Sequence, residues 1–183
     1  MFNIKNIDAE WTLFLDRDGV INHEKANDYI HTWSEFKFYD GVLEAMPIFS
    51  KKFKHIIVVT NQRGIGKGLT KEEDLLFIHK KMKATVEENA GRIDAIYYCK
   101  DIDINSPCRK PNTGMGLQAV KDFPTINLTK ALMIGNTLSD MHFGRNLGIN
   151  TIFLPTTRPE VDLKDAAIDA VYPSLIAFAE KLL

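Results

Sequence analysis

Four short polar clusters, each at the end of an apolar run, concentrate the residues able to do chemistry. The first is Leu13-Phe14-Leu15-Asp16-Arg17-Asp18-Gly19-Val20, a buried-type strand that runs into two carboxylates. Burying either without a partner would be costly. Extended backbone through Arg17 would point Asp16 and Asp18 to one side, and Gly19 would let the chain turn away. Such a pair can hold a hard cation while one oxygen stays free to attack a phosphorus atom. An ordinary strand-to-turn exit, where Asp-Gly is common, is the alternative.

The second cluster ends the run Ile56-Ile57-Val58-Val59-Thr60-Asn61-Gln62, where the Thr60 hydroxyl and the Asn61 amide could donate to phosphate oxygens without adding charge. The glycines that follow, in Arg63-Gly64-Ile65-Gly66-Lys67-Gly68, fail the P-loop pattern because Gly68 stands where Ser or Thr should follow the lysine. They also fit a dinucleotide fingerprint poorly and read as a flexible turn before a helix at Lys71. In the third cluster, Cys108-Arg109-Lys110-Pro111-Asn112-Thr113-Gly114-Met115, Lys110 could place a point charge on a phosphoryl group. Arg109 could grip a second anionic or polyhydroxyl portion of a substrate; a solvated basic pair is the alternative. The fourth, Met133-Ile134-Gly135-Asn136-Thr137-Leu138-Ser139-Asp140, sets Asn136 and Asp140 four apart around a helix start. Asp140 could orient Lys110 or a metal's water shell, or Ser139 and Asp140 could simply cap and stabilise the helix.

These clusters need elements to position them. Strands are expected over Trp11 to Leu15, His55 to Thr60, Ala95 to Cys99, Ala131 to Gly135, Thr151 to Leu154 and Ala170 to Tyr172. Helices are expected over Gly41 to Phe53, Lys71 to Asn89, Gly116 to Phe123, Ser139 to Leu147 and Ser174 to Leu182, the last capped by Ser174. Apolar strands alternating with helices describe an α/β protein, a three-layer α/β/α sandwich around a mostly parallel, Rossmann-like sheet. Ligands of such sheets bind beyond the C-terminal strand ends. Pro47 should kink the first helix or delay its start. Residues 20–39 lack a clear period and make a candidate flap.

The 183 residues, 45% apolar and 26% charged, suit one domain spanning 1–183. A net charge of -1 supplies no overall field for nucleic acid or an anionic membrane, so a nucleic-acid partner would need a local track near Arg63, Lys67 and Arg109. Two cysteines are too few for a secreted disulfide scaffold, the first residues lack a signal-peptide pattern, and no apolar run spans a bilayer. The expectation is a soluble protein of a reducing compartment, most simply the cytoplasm.

Taken together the four clusters resemble the haloacid dehalogenase-like (HAD) superfamily of aspartyl phosphotransferases. Asp16-Arg17-Asp18-Gly19 matches its first motif, Thr60 its second, Lys110 its third, and Asn136 with Asp140 its fourth. More narrowly, Phe14 to Asn22, Thr60-Asn61-Gln62 with Gly64-Ile65, and Cys108-Arg109-Lys110-Pro111 with Gly114-Met115 resemble the D-glycero-D-manno-heptose 1,7-bisphosphate and histidinol phosphatases. The resemblance implies a phosphomonoesterase without a large cap domain, in which Asp16 attacks phosphorus and Asp18 serves as acid and base. Mg²⁺ would be held at the Asp16 and Asp18 pair, the Arg17 backbone carbonyl and Asn136, while Thr60, Asn61 and Lys110 hold transition-state oxygens.

Two departures stand out. The subgroup's zinc loop is shortened around residues 99–110, with Asp101 and Ser106 where His and Cys would stand, so zinc is not expected and Cys99 and Cys108 read as free thiols. Asn136 replaces a metal-binding Asp. The substrate expected is a small phosphorylated metabolite, a heptose 1,7-bisphosphate first and histidinol phosphate second. A nucleic-acid 3'-phosphatase and a non-catalytic phosphate-binding or receiver-like module are the other readings; Asp18, two residues after the nucleophile, speaks against a receiver.

Overall fold

A computed structural model describes residues 2–183, and its backbone alternates strands with helices throughout. The strands are β1 (Thr12–Leu15), β2 (His55–Asn61), β3 (Ala95–Cys99), β4 (Ala131–Gly135), β5 (Asn150–Phe153) and β6 (Ala170–Val171). The helices are α1 (Val42–Lys52), α2 (Arg63–Gly66), α3 (Glu72–Glu88), α4 (Gly114–Asp122), α5 (Leu138–Leu147) and α6 (Leu175–Glu180). Each expected element is present, its ends moved by a residue or two. The glycine stretch differs: instead of an open turn, Arg63–Gly66 closes one turn of helix.

All six strands are parallel, in the order β3-β2-β1-β4-β5-β6. Period two then divides the apolar residues between two cores. Leu13, Leu15, Ile56, Val58, Leu132 and Ile134 face the layer of α1, α3 and α6, whereas Phe14, Ile57, Val59 and Met133 face α4 and α5. Both faces are covered, which is why the central runs Leu13–Leu15, Ile56–Val59 and Ala131–Ile134 are apolar on both sides. The chain runs outward from β1 through β2 to β3, then returns to place β4 on β1's other side. That reversal opens a crevice at the C-terminal ends of β1 and β4, where Asp16 and Asn136 follow directly.

Helix α1 neither starts late nor breaks at Pro47. The carbonyl four residues back belongs to Leu43, which is only half-buried, so water can replace the missing donor. Ser174 caps α6 as expected, its Oγ accepting from Ala177 N at 3.2 Å. The segment between β1 and α1 is anchored at both ends: Val20 and Ile21 at one and Ile30 and Phe36 at the other are buried in the core, and Trp33 stacks on Phe36 with ring centroids 5.0 Å apart. Between them, residues 24–29 line the crevice. Among the described residues no helix is long and apolar enough to cross a membrane.

Candidate active site

The amide of Asp16 donates to Ile134 O at 3.0 Å, prolonging the β1–β4 ladder one residue past the strand and fixing where the carboxylate emerges. Lys110 reaches it from the loop before α4. Its Nζ lies 2.9 Å from Asp16 Oδ1 and 2.6 Å from Asp140 Oδ1, and it donates to Val59 O at 2.8 Å. Asp140 therefore does both things its position suggested. While Oδ1 holds Lys110, Oδ2 accepts from Asn136 N (3.2 Å), Thr137 N (3.0 Å) and Thr137 Oγ1 (2.7 Å). The cap of α5 is Thr137, with Asp140 completing a capping box, and not Ser139, whose buried Oγ has no partner.

Asn61 ties β2 to the Lys110 loop. Its Oδ1 accepts from Lys110 N at 3.0 Å and its Nδ2 donates to Lys110 O at 3.2 Å, clipping the Lys110 backbone to the end of β2. The second N–H of that amide is left over, and Asn61 lines the crevice. Thr60 only accepts, from Gln62 Nε2 at 2.9 Å, and keeps its own proton to donate into the crevice.

Asp18 is held by three side chains. Arg17 forks onto it, Nε to Oδ1 at 3.2 Å and NH2 to both oxygens at 2.8 Å, while Asn22 Nδ2 reaches Oδ1 at 2.9 Å and Gln62 Nε2 reaches Oδ2 at 2.8 Å. The Arg17 side chain is itself only 1% exposed, and its NH1 meets His79 Nε2 at 3.1 Å. The sequence reading gave no role to the side chains of Arg17, Gln62 and His79. Two signals were available: an arginine between two aspartates at a buried strand end needs a partner, and Gln62 stands two residues after Thr60, just past the end of β2.

Burial works against the ionised form of Asp18, but the Arg17 charge and these hydrogen bonds outweigh it and hold its carboxyl below the usual carboxylate range. Asp16 goes the other way. Burial, and then the neighbouring Asp140 carboxylate, raise it to about 7 despite Lys110. Burial opposes the Lys110 charge, yet Asp140 and Asp16 together raise its pKa. His79 is pushed down to about 3 by burial and by Arg17, so its ring is neutral.

A magnesium ion fits this donor set. One lysine shared by two buried carboxylates leaves a negative charge that a cation would balance, and the buried Asn136 Oδ1 has no partner, its Nδ2 being used on Thr157 Oγ1 at 2.5 Å. Gly19, at φ +84°, makes room for that amide; a Cβ there would overlap it. The Arg17 carbonyl, expected as a ligand, is already accepting from Val20 N, Ile21 N and Asn22 N at 3.3, 2.8 and 3.1 Å. The Asp18 carbonyl accepts none of the turn's backbone bonds and is the free oxygen beside it.

Zinc does not fit. Cys99 and Cys108, expected as free thiols, are joined in a disulfide with Cα atoms 5.5 Å apart, because the loop after β3 doubles back before Lys110. Neither sulfur is then a thiolate, and Asp101 Oδ2 accepts from Ser106 Oγ at 2.5 Å.

Asp16, Asp18 and Lys110 open onto a cavity of about 860 Å³. Lys25, Arg63, Lys67, Arg109 and Arg158 line it, with Glu24 and Asp28 on the flap side. Arg109 Nε is buried without a partner, and burial, followed by nearby Arg63, lowers that guanidinium's pKa.

A parallel sheet with a nucleophile-type Asp after β1, a hydroxyl after β2, a lysine before α4 and a carboxylate in the first turn of α5 defines a HAD-like hydrolase. The HAD-hydrolase-like family model matches residues 107–178. The chain is 30% identical over 171 residues to the D-glycero-alpha-D-manno-heptose-1,7-bisphosphate 7-phosphatase of Mycobacterium bovis, covering 93% of this chain and 90% of that one. It is 34% identical over 172 residues to the D-glycero-beta-D-manno-heptose-1,7-bisphosphate 7-phosphatase of Photorhabdus laumondii, with 89% and 90% covered. The crystal structure of the D,D-heptose 1,7-bisphosphate phosphatase from B. bronchiseptica, complexed with magnesium and phosphate, superposes with a TM-score of 0.83 at 27% identity over 94% of this chain and 97% of that one. The chain belongs to the heptose-1,7-bisphosphate 7-phosphatase family of HAD-like hydrolases.

Proposed function

We propose that this protein hydrolyses the 7-phosphate of a D-glycero-D-manno-heptose 1,7-bisphosphate through an aspartyl-phosphate on Asp16. The observation that carries the reading is the buried Asp16–Lys110–Asp140 cluster opening onto a cation-lined cavity. An Asp16 oxygen attacks phosphorus and the bond from phosphorus to the sugar oxygen breaks. Asp18 gives that oxygen its proton, then takes one from the water that attacks the phosphoenzyme, and Asp16 is released with inorganic phosphate. A phosphate dianion brought beside Asp18 opposes its ionised form, which readies it to carry the proton. Thr60, Lys110 and the remaining N–H of Asn61 donate to the equatorial oxygens.

Asp16, the Asp18 carbonyl and Asn136 would hold Mg²⁺, whose charge offsets repulsion between the Asp16 carboxylate and phosphate. Arg63, Lys67 and Arg109 suit the substrate's second phosphate, a use a monophosphate such as histidinol phosphate would leave empty. They also surround one cavity instead of forming a track, which suits a metabolite better than a nucleic-acid strand.

Phosphate release by the purified protein with Mg²⁺, from both heptose 1,7-bisphosphate anomers, histidinol phosphate and a 3'-phosphorylated oligonucleotide, tests this. The bisphosphate should give the highest kcat/KM, and Asp16→Asn should abolish turnover. Preferred hydrolysis of another substrate overturns the substrate assignment, and an active Asp16→Asn protein overturns the covalent route.

A further inference from the structure

We propose that His79, in the middle of α3, is a positioning residue for the acid–base step, acting through Arg17 to fix the carboxylate of Asp18. The proposal rests on the reading of Asp18 as acid and base. A guanidinium offers five N–H donors and no acceptor. Arg17 spends its Nε and NH2 edge on Asp18, and NH1 turns the opposite way to His79 Nε2 at 3.1 Å. Since arginine cannot accept, the imidazole must, which assigns His79 as the neutral ring with its proton on Nδ1. A protonated ring would have no lone pair to offer and would set two cations face to face.

The brace is built from rigid parts. His79 is 6% exposed, lies 62 residues from Arg17 in sequence and packs edge-on to Tyr98 with ring centroids 5.9 Å apart. Tyr98 is on β3 and its hydroxyl donates to Glu72 Oε1 at 2.8 Å, at the start of the same helix as His79. Arg17 makes three of the five side-chain hydrogen bonds that Asp18 accepts, so the carboxylate is held only as firmly as that fork is. His79 pins Arg17 from behind, and Gln62 ties the same carboxylate to Thr60.

The test uses His79→Leu, which removes the acceptor at similar bulk, and His79→Gln, whose amide oxygen restores one. Turnover on a common phosphomonoester with Mg²⁺ is measured alongside thermal melting and the ¹⁵N spectra of the Arg17 Nε–H and the His79 ring. His79→Leu should lower kcat about 10- to 100-fold with KM little changed, slowing both phosphoenzyme formation and its breakdown, and His79→Gln should recover most of the loss. The ring should show the Nδ1–H tautomer, and the slowly exchanging Arg17 Nε–H should be lost in His79→Leu and kept in His79→Gln. A folded His79→Leu protein with kcat within about twofold of the parent overturns the proposal, as does equal impairment of both variants or an Nε2–H ring. If the parent protein hydrolyses no phosphomonoester, the reading of Asp18 fails separately, and the spectra alone still decide whether His79 braces Arg17.

Discussion

Asn136→Asp tests the metal shell, because the structure makes the substitution act in opposite directions with and without the cation. Asn136 is fully buried, its Oδ1 has no partner and its Nδ2 donates to Thr157 Oγ1. The threonine hydroxyl can turn and donate instead, so that hydrogen bond survives in reversed form. What changes is charge: a third carboxylate joins Asp16 and Asp140, which already share one lysine. Without cation, a buried and unpaired carboxylate should cost about 3 kcal/mol of stability, less whatever it recovers by taking up a proton. With Mg²⁺ the added charge at a ligand position is worth a further 1.4 to 2.8 kcal/mol, roughly a 10- to 100-fold lower half-activating concentration. The assay is turnover against Mg²⁺ concentration for both proteins, with melting curves in chelator and in saturating Mg²⁺. Melting should be lower than the parent's in chelator and at least regain it in Mg²⁺. Half-activation that does not move would remove residue 136 from the metal shell.

Three further outcomes are expected. Arg63→Ala with Arg109→Ala should raise KM for a heptose bisphosphate by about 10- to 100-fold while leaving hydrolysis of a small aryl phosphate near the parent's, since these side chains line the cavity and take no part in the Asp16–Lys110–Asp140 ion pairs. Metal analysis should return well under one zinc per chain, and the thermal midpoint should fall on treatment with dithiothreitol but not with a zinc chelator; the bridge joins residues only nine apart, so its loss should cost at most about 3 kcal/mol. His79, lowered to about 3 in the fold against 6.5 for a free side chain, binds its proton more readily when unfolded. Stability should therefore decline as pH falls from about 6.5 towards 3, and denaturant unfolding should show a shallower decline over that window in His79→Gln.

The ends of β1, β2 and β4 were readable because Leu13–Leu15, Ile56–Val59 and Ala131–Ile134 are continuous apolar runs, and the polar groups that follow such runs lie at the sheet's edge. Asp16, Thr60 and Asn136 followed directly from that, as did the alternation that yields a doubly covered parallel sheet. Contacts made by returning chain were not readable. The Cys99–Cys108 bridge depends on how the loop after β3 folds back, and the same loop brings the Lys110 backbone onto the Asn61 amide. Arg17 and His79 are 62 residues apart, and nothing local to either announces the other. Thr137 outcompetes Ser139 as the cap because Asp140 stands three residues after it and answers its backbone amide, a pairing that was present in the sequence and overlooked.

The electrostatics of the site also explain how a neutral residue is accommodated at position 136. With Asn136 the buried cluster holds two carboxylates against Lys110, and burial with Asp140 already raises Asp16 to about 7. A third carboxylate would push Asp16 further towards its protonated form in the cation-free protein, and a protonated Asp16 is no nucleophile. On the proposed roles of Asp16 as nucleophile and residue 136 as cation ligand, the amide avoids that penalty and still presents an oxygen, exchanging some affinity for the cation against a nucleophile that would stay closer to ionised while the cation is away.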